Sequence, residues 1–175
     1  MLFGLIVFGA IVLVVFLLAA TYNGLVTGTE RAARAWNELD ALLRQRHDEI
    51  PKLIELCERH LQHERAVFER VLAARMEVFG ARQTHLADAV SRAETTLRAE
   101  LAALIALAST DAELGASPAF DMLRQRNSTL DREIVERRAL YNEAATRYNA
   151  AIARLPGNVV AMLGGFRPLG ALDAE

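Results

Sequence analysis

The chain has 175 residues, with 20 basic and 22 acidic side chains and a formal net charge of −2 at pH 7. This balance gives no electrostatic basis for binding nucleic acid, and we expect none among the partners. The single cysteine, Cys57, excludes an intramolecular disulfide. The sequence has no glycine-rich phosphate loop and no Gly-x-Ser-x-Gly motif, which favours a protein that is not an enzyme and uses no cofactor.

The N-terminal segment is strongly apolar. No charged side chain occurs from Leu2 to Ala20, and a helix of this length covers roughly 30 Å, the thickness of the hydrocarbon layer. A signal peptide would carry a basic residue before a shorter apolar stretch, although Ala19-Ala20-Thr21 resembles a cleavage site. Tyr22 lies where an aromatic residue marks the membrane interface. We therefore predict a transmembrane anchor over residues 1–22, with cleavage as the alternative.

Basic residues after this segment indicate its orientation. The first of them are Arg31, Arg34, Arg44 and Arg46. Because positive charge collects on the cytoplasmic side of a membrane, we expect a single-pass protein of the inner membrane with a cytoplasmic domain.

Residues 36–78 carry core-type side chains at alternating spacings of three and four. This predicts one long helix, or two nearly collinear ones, ending at Gly80. Trp36, Ile50 and Pro51 are the predicted core anchors of this segment. Because a proline removes a backbone donor, we expect a kink or a restart at Pro51, with Asp48 as the N-cap.

Two further helices are predicted after this arm. One follows the apolar stripe from Leu86 to Leu107, before a loop at 109–115. The other begins at Ser117-Pro118, with a serine N-cap and proline in the first turn, and ends before Pro156-Gly157. The fold class is therefore all-α, an antiparallel three-to-four-helix bundle over residues 23–157. Residues 158–175 are predicted to form a short apolar turn and a flexible tail.

Charged side chains interrupt the apolar stripes. They are Arg46, Glu64, Glu100 and Arg138. Because buried charges rarely add stability, we interpret them as fixing the register between helices, with a polar ligand pocket or simple solvent exposure as the alternatives.

Two Tyr-Asn pairs, Tyr141-Asn142 and Tyr148-Asn149, lie seven residues apart and therefore share a helix face. We predict that the tyrosines are core aromatics and that the asparagines form hydrogen bonds between helices. Recognition of a partner is the alternative.

Cys57, His60 and Glu64 would share one face of a continuous helix, whereas His63 turns away from it. A closed zinc site needs four ligands, and a di-iron bundle needs Glu-x-x-His on two helices. Neither pattern is complete in this sequence, so we interpret these residues as core and boundary positions, with a metal site as the alternative.

Short sequence blocks along almost the whole chain occur in order and at a characteristic spacing. They include Tyr22-Asn23, Ala35-Trp36, Ile50-Pro51, His63-Glu64, Ala74-Arg75, Phe120, Asp131, Ile134, Arg138, Tyr141-Asn142, Tyr148-Asn149, Pro156-Gly157-Asn158 and Gly165-Phe166. With these blocks the chain resembles the LemA family of bacterial single-pass membrane proteins.

This resemblance implies a helical bundle on a membrane anchor and no established catalytic activity. Some relatives take part in magnetosome formation, which favours a membrane-organising role. The resemblance adds Asp131 to the candidate polar residues between helices. Position 60 is usually aromatic in the family, which favours a core role for His60, and residues 171–175 lack the family's aromatic C-terminus.

Three functional hypotheses follow. The first is a membrane-anchored scaffold or adaptor of the bacterial cell envelope, which forms homo-oligomers or organises other membrane proteins. The second is a membrane-tethered sensor that binds a ligand around Arg46, Glu64 and Arg138. The third is a metal-dependent enzyme with its metal at Cys57, His60 and Glu64. Self-association could use the line of small residues Ala20, Gly24 and Gly28.

Overall fold

A computed structural model describes residues 2–84 and 86–172 of the protein. Within these ranges the chain forms helices and no strands, which confirms the all-α prediction. The helices are α1 (Leu2–Glu58), α2 (Arg65–Thr84), α3 (Ala87–Ala108), α4 (Ala112–Gly115), α5 (Pro118–Ala153) and α6 (Gly157–Gly164). They belong to two compact units. Unit 1 contains residues 2–36 and 140–171, and unit 2 contains residues 37–139 and Leu172.

The N-terminal part of α1 is long and apolar enough to cross a membrane, with a mean hydropathy of 3.1 in its most apolar window. None of the side chains in that window is buried inside the protein. By its length and composition this segment could therefore span a bilayer.

Helix α1 continues through Pro51 without a break, so the predicted restart with Asp48 as N-cap is wrong. Pro51 has no N–H to donate to the carbonyl of His47, four residues earlier. Instead, Nε of Arg75 donates to that carbonyl at 3.0 Å. The acceptor that proline frees is thus satisfied by a side chain of α2. Pro51 itself is exposed, which corrects its prediction as a core residue, whereas Ile50 is buried.

The chain reverses after Glu58, so the predicted collinear continuation is also wrong. The amides of His60 and Leu61 both donate to the carbonyl of Cys57, which closes the turn at the end of α1. Helix α2 then runs antiparallel to α1, because Arg82 pairs with Asp40 and Arg75 contacts His47. Cys57 before the turn and Val67 and Val71 after it face the same core, so apolar residues occur at helical spacing on both sides of the turn.

Helix α2 does not end at the predicted Gly80 but continues to Thr84. Gly80 is exposed and a Cβ there would meet no other atom, so a glycine is tolerated at a cost of about 1 kcal/mol. Helices α2 and α3 pack against each other in unit 2. The core of this unit includes Ile50, Leu53, Cys57, Phe68, Val71, Val78, Leu97, Leu101, Leu104, Leu114 and Phe120.

The predicted loop at 109–115 contains the single turn α4. Asp111 caps it, since Oδ1 accepts from the amides of Glu113 at 3.1 Å and Leu114 at 2.7 Å. This turn places Leu114 in the core. The predicted start of α5 is confirmed, with Oγ of Ser117 accepting from the amide of Phe120 at 3.5 Å.

In unit 1, α6 replaces the predicted apolar turn. Gly157 begins it at a point where a Cβ would collide with the carbonyl oxygen of Ala151, so this close approach requires glycine. Gly165 follows its last turn with φ of 71°, the left-handed conformation in which glycine commonly terminates helices. The Pro156-Gly157 and Gly165 motifs therefore set both ends of α6.

Within the segment predicted as a flexible tail, Leu169 and Gly170 form hydrogen bonds with side chains of α5. The side-chain amide of Asn149 donates to the carbonyl of Leu169 at 2.8 Å, and its oxygen accepts from the Leu169 amide at 2.9 Å. The hydroxyl of Tyr141 donates to the carbonyl of Gly170 at 2.9 Å. The rest of the predicted tail, residues 173–175, lies outside the described residues.

Candidate functional site

A buried arginine joins three helices of unit 2. Arg46 of α1 is only 2% exposed. Its Nη1 donates to Oε2 of Glu94 on α3 at 2.8 Å, and its Nη2 donates to Oδ1 of Asp131 on α5 at 2.7 Å. A guanidinium has fixed, planar donors, so these two bonds specify how α1, α3 and α5 align.

Two further arginines surround the same carboxylates. Nε of Arg98 donates to Oδ1 of Asp131 at 3.0 Å. Burial lowers the pKa of Arg138, and the neighbouring charge of Arg98 lowers it further, while Asp131 acts in the opposite direction. Burial also raises the pKa of Glu94, and the charge of Arg46 offsets part of this effect. We call Arg46, Glu94, Arg98, Asp131 and Arg138 the charge cluster.

The charge cluster encloses little free space. The cavity beside Arg46 and Asn127 has a volume of about 10 Å³, as does the one beside Glu94 and Arg138. Such a volume holds about one water molecule. Nε of Arg46 and Oε1 of Glu94 are buried and have no hydrogen-bond partner among the described residues. Each of these two cavities is therefore too small for a ligand larger than a water molecule.

A second set of ion pairs joins α1 to α2. Asp40 accepts from Nε of Arg82 at 2.6 Å and from Nε of Arg44 at 2.9 Å. Burial alone would raise the pKa of Asp40, but these two hydrogen bonds and charges hold it below its usual range. Two turns after Asp40 along α1, the ring of His47 packs against Phe79 with centroids 5.6 Å apart.

The other predicted charged positions have different surroundings. Glu64 lies in the turn between α1 and α2 and is exposed, so it does not act between helices as predicted. We predicted burial of Glu64 from an apolar stripe that would exist only if the helix continued through this position. Glu100 of α3 pairs with Nε of Arg70 on α2 at 2.9 Å and is partly exposed.

The Tyr-Asn residues and Trp36 lie in unit 1. The rings of Trp36 and Tyr141 meet edge to face with centroids 5.3 Å apart, and Tyr148 is buried against Gly28. A Cβ at Gly28 would lie 3.2 Å from Cδ2 of Tyr148, so part of the small-residue line of α1 accommodates this ring. Asn149 binds the tail, as described above, and Asn142 is half-buried on α5.

The described residues include no group of three or more His, Cys, Asp or Glu side chains that could hold a metal ion. Cys57 is completely buried, and burial raises the pKa of its thiol to about 11. His60 lies in the turn, where its Nδ1 is 3.8 Å from Glu113 and 3.9 Å from Asp111. The reversal of the chain at this point separates Glu64 from the helix face predicted for it.

Sequence reasoning missed Glu94, Arg98 and Arg82. Glu94 lies four residues after Val90 and three before Leu97, which is a stripe position in α3, so its spacing already indicated burial. The spacing around Arg82 gave no such signal, because its ion pair with Asp40 forms only when α2 runs antiparallel to α1.

The matches with known proteins concern the part of the chain after the apolar segment. No curated protein matches the sequence. The sequence profile of the LemA family matches residues 35–175, which include both Tyr-Asn pairs, the charge cluster and the Pro156-Gly157 motif. This match covers most of the chain and confirms the resemblance: the protein belongs to the LemA family.

Proposed function

We propose that this protein is a membrane-anchored helical scaffold or adaptor of the bacterial cell envelope and that it is not an enzyme. Its apolar segment would form a single pass through the inner membrane. Arg31 and Arg34, the first basic residues after that segment, favour a cytoplasmic location for the remaining chain. The partners we propose are the lipid bilayer, further copies of the chain and other membrane proteins.

The observation that carries the scaffold proposal is an exposed apolar stripe on α2. Leu72, Met76 and Phe79 lie at spacings of four and three, and between 40% and 56% of each is exposed. Spacing of this kind is used when one helix packs against another. We call these three residues the α2 stripe.

A groove continues from the α2 stripe. It has a volume of about 460 Å³ and is lined by Leu72 and Phe68 together with Arg65 and Glu69. Apolar side chains next to charged side chains of both signs occur at protein-binding surfaces. We therefore propose that the α2 stripe contacts a helix of a second copy or of a partner.

The sensor hypothesis has weaker support. It requires a polar interior that admits a ligand, yet the charge cluster is internally paired and its adjoining cavities have volumes of about 10 Å³ each. A ligand there would have to separate Arg46 from Glu94 or Asp131 and leave a buried charge without its partner.

The test is the mass of the full-length protein purified from its native membrane in mild detergent. We expect a complex larger than a protein monomer. The variant Met76→Glu should reduce it to a monomer with little change in the melting temperature, because Met76 is the most exposed residue of the α2 stripe, at 56%. Ala73→Glu is the matched control, since Ala73 is exposed on α2 outside the stripe. A wild-type monomer with nothing bound would overturn the scaffold proposal.

A further inference from the structure

The outer side of α6 is unusually apolar for a surface helix. Met162 is 77% exposed and Leu163 is 76% exposed, and Val159 lies one turn earlier with part of its surface also exposed. Leu155, in the turn immediately before the helix, is also 78% exposed. Apolar side chains gathered this way on a short segment indicate a surface that is covered in the working protein.

The inner side of α6 packs against the end of the apolar segment of α1. Val160 and Ala161 share a core with Leu25 and Tyr148, and Leu18 packs against that core. The ring of Phe166, just after α6, meets the ring of Tyr22 edge to face with centroids 5.5 Å apart. All of these contacts lie within unit 1.

These contacts fix the depth of α6 relative to the anchor. Leu18 belongs to the uncharged run, and Tyr22 lies where an aromatic side chain marks the headgroup region. An eight-residue helix is about 12 Å long, so α6 is too short to span a bilayer. A helix held beside residues 18–25 therefore lies at the membrane surface if α1 is inserted.

We propose that α6 is an interfacial helix, with Leu155, Met162 and Leu163 inserted into the lipid surface beside the anchor. Amphipathic helices bind in this way with their apolar face buried at the boundary between headgroups and acyl chains. Arg154 precedes α6 and Arg167 follows it, and both are exposed. At a membrane surface, cationic side chains in these positions would contact anionic headgroups favourably. This inference rests on the membrane anchor of the proposed function.

The test uses fluorescent labels on single added cysteines in the full-length protein, reconstituted in vesicles of phosphatidylcholine and phosphatidylglycerol. Met162→Cys reports on α6, and Val12→Cys reports on the anchor. Met122→Cys is the matched reference, because Met122 is a methionine of α5 that is 70% exposed in unit 2. Cys57 can remain, since it is completely buried, and the parent protein without an added cysteine shows whether it stays unlabelled.

We expect a nitroxide attached to the lipid to quench the labels at 12 and 162 several-fold more than the label at 122, with the opposite order for aqueous iodide. A label at 162 as open to iodide as that at 122 would overturn the inference while leaving the anchor intact. Shielding from iodide without quenching by lipid would indicate protein cover and would also overturn it. A label at 12 open to water would instead contradict the membrane anchor, and the inference with it.

Discussion

Unit 2 joins its helices through arginine–carboxylate pairs, whereas unit 1 joins its elements through aromatic rings and amide hydrogen bonds. In unit 2, Arg46 connects α1 to both α3 and α5, and Arg82 connects α2 to α1. In unit 1, Tyr148 packs on Gly28, and Asn149 binds both backbone groups of Leu169.

The two chemistries have different consequences for stability. A buried ion pair must stay complete, because removing one partner leaves a charge in a medium of low polarity. A neutral hydrogen bond or a ring contact can be weakened in smaller steps. Neutral contacts in unit 1 are compatible with the proposed membrane location, since this unit contains the segment that would enter the lipid. We expect the two units to respond differently to loss of a single side chain.

The largest effect is expected at Arg46. Arg46→Met should lower the free energy of unfolding by about 3–5 kcal/mol, because Glu94 would remain buried without its cation. The measurement is the unfolding of the full chain in detergent, monitored by circular dichroism.

A second substitution distinguishes the loss of the ion pair from the loss of side-chain volume at Arg46. Arg46→Met/Glu94→Met should be more stable than Arg46→Met alone, since it removes the stranded carboxylate. Arg44→Met is the matched control, because the side chain of Arg44 is 69% exposed and Asp40 would keep Arg82 as its partner. Equal stability of the single and double variants would show that the charge pairing does not hold unit 2 together.

The sequence predicted those parts of the fold that depend on local pattern. The apolar run, the helical class, Ser117 as an N-cap and the family followed from composition, spacing and motifs. Pro51 within α1 could not be predicted, because the carbonyl it frees is satisfied by Arg75, which is distant in sequence. The reversal after Glu58 was hidden because the residues on both sides of the turn keep the apolar spacing.

The charge cluster was predictable only in part. Arg46 and Arg138 were noticed because each interrupts a stripe, and the structure brings both near Asp131. Their actual partners depend on the alignment of α1, α3 and α5, which spacing within single helices does not determine. The docking of the tail had no apolar periodicity to reveal it, since Asn149 binds backbone groups that any sequence would offer.

An intermediate effect is expected at Asn149, where the side-chain hydrogen bonds of unit 1 can be removed without changing its aromatic contacts. Asn149→Leu removes two hydrogen bonds to Leu169 and should cost about 1–3 kcal/mol. Hydrogen exchange of the Leu169 amide should accelerate strongly, while amides in α3 of unit 2 keep their protection. Asn158→Leu is the control, because Asn158 is exposed and its side chain bonds only the adjacent Val159 amide among the described contacts. Unchanged exchange at Leu169 would show that the tail is held by other contacts.

The smallest effect is expected at His47, the titrating group beside α2 in unit 2. Burial lowers the pKa of this imidazole, and Arg75 and Arg82 lower it further, while Asp48 acts in the opposite direction. The folded chain therefore binds this proton more weakly than the unfolded chain, whose histidine has a pKa of about 6.5. As the pH falls below that value, the unfolded state is protonated first, so the free energy of unfolding decreases until the folded-state pKa is passed.

Because other groups also affect stability in this pH range, the prediction concerns the difference between the wild type and a variant that lacks His47. The difference in unfolding free energy between the wild type and His47→Gln should change with pH below about 6.5, with the wild type losing more stability. His63→Gln is the matched control, because His63 is exposed in the turn after α1. A constant difference between wild type and His47→Gln across this range would mean that His47 binds its proton equally well in both states. In that case the ring packed on Phe79 would stabilise unit 2 through its contacts alone, without the arginines around it affecting its charge.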